Sequence, residues 1–264
     1  MTFKHITSRD NSLFKQLKKL ADNTRERRKN NETLLDGVHL LQAYIEHFGL
    51  PKLLITAEGE STYEVGALLQ ELSDVPTVMF TTLMFAELSP VATPTGILAL
   101  VDIPSLPMPE QADFVLMLED IQDPGNLGSM LRSAAAAGVE GVYLSMGCTD
   151  AWSPKALRGG QGAQFVLPIV ERADLVEVTQ AFGGQTLATT LAGTSLYGMD
   201  LQQPTAFVIG NEGAGLSEAL ITAASQQVSI PMIGQVESLN AAAATAVCLF
   251  ERSRQKAAST RGSD

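Results

Sequence analysis

The stretch Phe114-Val-Leu-Met-Leu118-Glu-Asp-Ile-Gln-Asp123-Pro-Gly-Asn126-Leu-Gly-Ser-Met-Leu-Arg132-Ser-Ala-Ala-Ala-Ala-Gly138 contains a strand, a loop and a helix in succession. Five consecutive apolar residues suit a strand covered on both faces, and the Ala-rich run Leu127–Ala137 suits a helix that stops at Gly138. The same alternation continues toward the C-terminus. Strands are expected at Phe114–Leu118, Val142–Ser145, Phe165–Val170, Leu187–Thr190, Phe207–Ile209 and Val228–Ile230, with further helices at Leu175–Phe182 and Leu216–Ala224. Near-continuous apolar strands separated by helices predict an α/β domain built on a parallel sheet. Ligands of such sheets sit beyond the carboxyl ends of the strands.

Toward the N-terminus the pattern is shorter. Asn11 and Ser12 can cap a helix carrying Leu13, Leu17 and Leu20 inward, with Lys15, Lys18 and Lys19 outward. Arg25–Asn31 reads as a polar loop. Leu34–Leu35, Leu53–Thr56, Val78–Phe80 and Ile97–Asp102 read as strands. Val38, Leu41, Ile45 and Phe48 mark a helix ended by Gly49, and Tyr63–Leu72 marks another. This predicts a small α/β domain. Ile103-Pro-Ser-Leu-Pro-Met-Pro-Glu110 carries three prolines and makes a semi-rigid linker.

Two isolated cysteines, Cys148 and Cys248, supply neither a disulfide framework nor a zinc site. Those isolated cysteines suit a reducing cytoplasm, and, with no hydrophobic signal core in the first ten residues and no apolar run approaching membrane-spanning length, a soluble protein is expected. The net charge of −11 is uneven. Residues 1–30 carry nine Lys or Arg against three acids, a local +6 that leaves −17 to the remainder. A basic surface on an acidic body fits a polyanion such as RNA, and equally a solvated amphipathic helix. All three histidines, His5, His39 and His47, lie in the first fifth of the chain, so chemistry in the second half proceeds without one.

Three strand-end loops carry the polar groups. The first contains Asn126 near a helix start and Arg132 inside an otherwise apolar helix. That guanidinium needs an anionic partner, either Glu119 or Asp123 or a ligand. The second is Gly210-Asn-Glu-Gly-Ala-Gly-Leu-Ser217, whose glycines permit close backbone approach and which places Glu212 inside the loop. It matches neither the dinucleotide fingerprint nor a P-loop. The third is Ile230-Pro-Met-Ile-Gly-Gln-Val-Glu-Ser-Leu-Asn240, leading into the apolar run Ala241–Phe250. Ser238 is a candidate cap for that helix, which is expected to be buried on most sides.

Together, in this order and spacing, the three loops resemble the motifs of the SpoU-TrmH family of RNA ribose 2′-O-methyltransferases, in the SPOUT superfamily. Asp123-Pro-Gly-Asn-Leu-Gly-Ser-Met-Leu-Arg132-Ser-Ala is similar to motif one, Gly210-Asn-Glu-Gly-Ala-Gly-Leu to motif two and Ile230–Ala241 to motif three. The resemblance covers residues 112–255. More weakly, residues 1–102 are similar to the family's L30-like substrate-binding domain. Asp150–Phe165 resembles members acting on large-subunit ribosomal RNA.

The resemblance implies an L30-like domain at 1–103, a linker at 104–111, a catalytic domain at 112–256 with a deep trefoil knot, and a disordered tail at 257–264. It implies S-adenosylmethionine as cofactor, RNA of the 23S type as substrate, a homodimer and no metal. Transfer RNA as substrate and a non-catalytic RNA-binding or ribosome-assembly protein are the alternatives. A nicotinamide-dependent dehydrogenase rests on the α/β pattern alone. Family roles carry over to Asn126, Arg132, Glu212, Ser238 and Asn240 as catalytic residues. Thr189, Gly210, Asn211, Ile230, Met232, Ser238 and Leu239 carry over as cofactor contacts. Arg132 is either the base or, since arginine keeps its proton, a phosphate clamp. The RNA-binding face is assigned to Arg9, Lys15, Lys18, Lys19, Arg25, Arg27, Arg28 and Lys29.

Overall fold

A computed structural model describes residues 3–59, 61–91 and 94–261. The chain divides into two compact units. The first comprises Met1–Pro104 with Trp152–Phe165, and the second Ser105–Ala151 with Val166–Asp264.

The first unit holds a five-stranded mixed sheet of β1 (Lys4–Ile6), β2 (Glu32–Asp36), β3 (Leu53–Ala57), β4 (Thr77–Phe80) and β5 (Ile97–Asp102), in the order β1-β4-β3-β5-β2. β5 runs antiparallel to both neighbours, while β1, β3 and β4 pair in parallel. Helices α1 (Ser12–Asp22), α2 (Thr24–Asn30), α3 (Val38–Phe48), α4 (Tyr63–Glu71) and α5 (Thr82–Leu88) complete it. Phe14, Leu17 and Leu20 of α1 and Met84, Phe85 and Leu88 of α5 pack on Leu34, Ile55, Val78 and Phe80 of the sheet. The periodicity of α1 predicted Leu17 and Leu20 on that face; Phe14 is the third buried residue, and Leu13, expected inward, is only partly buried. β1 and α5 are too short to show a period, so neither was expected.

Arg25–Asn31, expected as a loop, falls in helix α2 except for Asn31, which ends the helix in a left-handed conformation at φ +54. The Asn23 side chain accepts from the backbone N–H groups of Arg25 and Glu26 and so satisfies two orphan donors. The Arg27 guanidinium turns inward and donates to the carbonyls of Leu20 and Ala21 at 2.6 and 3.1 Å and to Thr24 Oγ1 at 3.1 Å. A charge run therefore hid a helix.

The second unit holds an all-parallel sheet in the order β11-β9-β10-β6-β7-β8. Its strands are β6 (Phe114–Leu118), β7 (Gly141–Leu144), β8 (Ile169–Val170), β9 (Gln185–Ser195), β10 (Thr205–Ile209) and β11 (Gln226–Ser229). Helices α8 (Leu175–Ala181) and α9 (Glu218–Ala223) cover one face through Leu175 and Leu220 on Val115, Met117, Ala206 and Val208. Helices α6 (Pro124–Ala137) and α10 (Ala241–Arg261) pack on each other, and Ser253 Oγ donates to the Ala137 carbonyl. Arg252 fixes α10 to β6: its Nη2 donates to the Asp113 carbonyl, and the guanidinium lies 4.1 Å from the Phe114 ring centroid. Burial lowers the pKa of that guanidinium.

Three expectations are corrected here. Phe165–Val170 is not one strand: Ala163–Phe165 is a 3-10 turn of the first unit and only Ile169–Val170 is strand. The reason is packing, since the Phe165 ring meets Tyr44 and Phe48 of α3 edge-to-face, at 5.5 and 6.0 Å between centroids. Accordingly Trp152–Phe165, with helix α7 (Pro154–Gly160), belongs to the first unit and interrupts the continuous catalytic domain expected at 112–256. The tail also differs. Residues 257–261 continue α10, since alanines extend a helix readily, and 262–264 lie outside the described residues.

Candidate functional site

In the second unit, the loops after β6, β10 and β11 converge at the carboxyl edge of the parallel sheet. The loop after β10 is closed on itself. Asn211 N–H donates to the Gly215 carbonyl at 3.1 Å, and Gly215 N–H returns a bond to the Asn211 carbonyl at 3.0 Å. Asn211 Oδ1 accepts from the N–H groups of Gly213 and Ala214, and its Nδ2 donates to the Asp120 carbonyl. Gly215 sits at φ +72, a conformation glycine adopts without cost. Gly210 leaves no room for a side chain: an added Cβ would lie 2.3 Å from the Gly215 carbonyl carbon. Glu119, at the end of β6, accepts from the Ser217 N–H at 2.7 Å and holds the far end of the loop.

Three predicted residues, one from each loop, join in a hydrogen-bonded chain. Asn240 Nδ2 donates to Asn126 Oδ1 at 3.2 Å, and Asn126 Nδ2 donates to Glu212 Oε1 at 3.0 Å. The direction is set by α10. Asn240 Oδ1 accepts from the N–H groups of Ala242 and Ala243, so its amide nitrogen must face Asn126. Asn126 must in turn aim its amide at the carboxylate. This corrects the cap assignment: α10 starts at Ala241 and Asn240 caps it, not Ser238. Ser238 instead lines a cavity.

That cavity measures about 650 Å³, within the range of sites for drug-sized ligands. Its lining includes Thr189, Gly210, Asn211, Ile230, Met232, Ser238 and Leu239, together with Glu212. Thr190, Leu191 and Glu237 also line it and were missed, because nothing in their local sequence marks them. Below it, Cys248 is fully buried near Thr189, and burial pushes its thiol up to about 12.

Arg132 stands apart from the chain of amides. It is exposed on α6 and has no hydrogen bond or ion pair among the described residues. Neither Glu119 nor Asp123 pairs with it: Glu119 binds Ser217, and Asp123 Oδ1 caps α6 by accepting from Asn126 N–H. No group of three or more His, Cys, Asp or Glu that could hold a metal occurs among the described residues. No helix there is long and apolar enough to cross a membrane.

In the first unit, the basic candidates divide. Lys19, Arg25 and Lys29 are exposed and without partners among the described residues; Arg28 is exposed. Arg9, Lys15 and Lys18 are also on the surface but pair with Glu87, Asp10 and Asp22. Arg27 is not part of this exposed basic set, because it is only 3% exposed and donates to the Leu20 and Ala21 carbonyls and to Thr24 Oγ1.

An α/β unit with a parallel sheet, whose strand-end loops enclose one cavity and converge three polar side chains beside it, defines a class of small-ligand-binding proteins. Comparison with known proteins narrows the class. Residues 113–250 match the model of the SpoU rRNA Methylase family, and residues 11–99 match the MRM3-like substrate binding domain. The chain belongs to the SpoU rRNA methylase family. It is 38% identical over 265 residues to an uncharacterised tRNA/rRNA methyltransferase of Synechocystis, covering 97% of this chain and 96% of that one. It is 34% identical to a 23S rRNA (guanosine(2553)-2′-O)-methyltransferase of Bacillus subtilis, covering 94% and 98%. The crystal structure of the SpoU methyltransferase AviRb of Streptomyces viridochromogenes with AdoMet superimposes with a TM-score of 0.80 at 31% identity, over 94% of this chain and all of that one.

Proposed function

We infer that the protein is an S-adenosylmethionine-dependent RNA methyltransferase that modifies a ribose 2′-OH of large-subunit ribosomal RNA. The observation that carries this is the cavity, with the Asn240–Asn126–Glu212 chain at its edge, in a member of the SpoU family. The relatives named for 23S rRNA 2′-O-methylation support the substrate.

The residues present fit the cofactor. Gly210 offers bare backbone to a flat group, Ile230, Met232 and Leu239 supply apolar walls, and Thr189 and Ser238 supply hydroxyls. Bound there, S-adenosylmethionine supplies a methyl group on a positively charged sulfur. The remaining work falls to the chain. Arg132, permanently charged and unpaired, clamps an RNA phosphate and so orients the ribose beside it. Glu212 and Asn240 hold Asn126 from two sides and fix the first loop against the other two.

Motif three exposes Ile233 and Val236, and α10 exposes Phe250. These apolar groups support a homodimer, and the family resemblance supports a trefoil knot in the second unit, an L30-like fold in the first and a cytoplasmic setting. Light scattering of the purified protein tests the dimer. Incubation with methyl-labelled cofactor and unmodified 23S rRNA, followed by mapping of alkali-resistant linkages, tests the activity. Label on transfer RNA alone would move the substrate, and no label on any cellular RNA would refute the reading.

A further inference from the structure

The segment Trp152–Phe165 comes from the second half of the chain yet completes the first unit. Thr33 Oγ1 of β2 donates to its Trp152 carbonyl at 2.6 Å, and helix α7 brings Arg158 to Asp36 at the carboxyl end of β2. The Asp36 side chain is 0% exposed. Its carboxylate accepts from Ser89 Oγ at 2.6 Å, Thr95 Oγ1 at 2.7 Å and Arg158 Nη1 at 3.2 Å. A buried carboxylate needs such donors, and this one has them.

The guanidinium on the other side of the pair is not satisfied in the same way. The Arg158 side chain is 36% exposed, and its Nε and Nη2 donate to nothing among the described residues. Arg27 provides the contrast within the same unit. It is withdrawn from solvent and places three hydrogen bonds on Leu20, Ala21 and Thr24. An arginine that serves the fold alone has that pattern. Arg158 commits one edge inward to a buried acid and keeps the rest of its planar fork at the surface in a set orientation. That fork matches the two oxygens of a phosphodiester, and ordering it beforehand reduces the entropy lost on binding.

We propose that Arg158 is an RNA phosphate contact, oriented by Asp36 and distinct from the basic face of α1 and α2. The proposal rests on the RNA reading above. It assigns a binding role to the Ser153–Phe165 segment, which the cavity and its three loops leave without one.

The test uses the full-length wild type, Arg158→Lys and Arg158→Ala, with filter binding to an unmodified 23S rRNA transcript over a range of KCl concentrations and thermal melts in parallel. Arg158→Lys keeps a cation for Asp36 and is expected to melt like the wild type. It is expected to bind RNA about tenfold more weakly, because a single ammonium head committed to Asp36 loses the outward charged hydrogen bond. Arg158→Ala is expected to melt lower, since Asp36 loses its counter-charge. Its dependence of log Kd on log salt is expected to be shallower by about 0.7–0.9, one phosphate contact. Wild-type affinity and slope in both variants, with or without a melting shift, would overturn the proposal and leave Arg158 as a structural ion pair. If the alanine variant does not fold, the lysine variant decides alone. A wild type that binds no RNA would overturn the RNA reading and this proposal with it; a wild type that binds while the variants are unchanged overturns this one only.

Discussion

Gly210→Ala is the sharpest probe of the cavity. Its Cβ would lie 2.3 Å from the carbonyl carbon of Gly215, 2.5 Å from that carbonyl oxygen and 2.5 Å from Leu216 N. All three are backbone atoms, so no side chain can swing aside. Reaching ordinary contact requires the loop to open by about 1 Å, since such contacts begin at 3.4 Å. Opening on that scale stretches the paired Asn211–Gly215 bonds, now 3.1 and 3.0 Å, past hydrogen-bonding reach. Two backbone bonds contribute about 1 kcal/mol each, and the stiffer unfolded chain of an alanine variant returns roughly 0.4–1 kcal/mol. The net loss is therefore about 1–2 kcal/mol, concentrated in the loop that walls the cavity. A chain of this size should melt roughly 2–8 °C lower, and affinity for S-adenosylmethionine should fall about tenfold or more. Gly213→Ala is the control, because its nearest neighbour is Asn211 Oδ1 at 3.6 Å and its backbone needs no positive φ. Calorimetric titration with the cofactor, with differential scanning of both variants, measures this. Wild-type affinity in Gly210→Ala, or equal damage in both variants, would refute the reasoning.

Arg132→Ala should retain cofactor affinity and lose turnover by at least roughly 10²-fold, because it removes a positioning charge and no cavity wall; a near wild-type rate in single-turnover assays would sink the assigned role. Asn240→Asp separates capping from orientation. An aspartate still caps α10, so stability should hold within about 1 kcal/mol, while an oxygen replaces the donor facing Asn126 Oδ1 and turnover should fall roughly 10²-fold; lost stability with intact turnover would show that Asn240 is a cap and no more. Cys248 gives a pH signature. Its thiol is raised from 9.0 to about 12, so the native state keeps a proton that the unfolded chain releases above pH 9. The stabilisation is complete below pH 9 and is lost as pH rises toward 12, at about 1.4 kcal/mol per pH unit. Urea titrations between pH 8 and 11, as a rough working window, should show a shallower decline for Cys248→Ala, and parallel declines would refute the assignment.

The parallel sheet was legible because β6 and β10 are covered on both faces, which demands unbroken apolar runs such as Phe114–Leu118 and Phe207–Ile209. The three loops were legible because glycines and amides cluster where strands end. What escaped was set by distance along the chain. Phe165 sits in an apolar run that suits a strand, and only α3, more than a hundred residues earlier, pulls it into a turn. Arg27 reads as a solvated charge until the carbonyls of Leu20 and Ala21 claim it. Ser238 and Asn240 are both good caps two residues apart, and the bond from Asn240 to Asn126, 114 positions away, goes with the second. Glu237 reaches the cavity only through the course of the long loop between β11 and α10, which no local pattern in that loop announces.

The detour through Trp152–Phe165 also governs the order in which the molecule can be made. During synthesis an N-terminal domain normally folds as soon as its sequence has emerged. Here residues 1–104 emerge with Asp36 lacking its cation, Thr33 lacking the Trp152 carbonyl and Tyr44 lacking the Phe165 ring. The first unit must wait for the chain as far as Phe165, through the whole of β6, α6 and β7. Expressed alone, residues 1–104 should behave as an unfinished fold, and adding Trp152–Phe165 as a separate peptide should stabilise it.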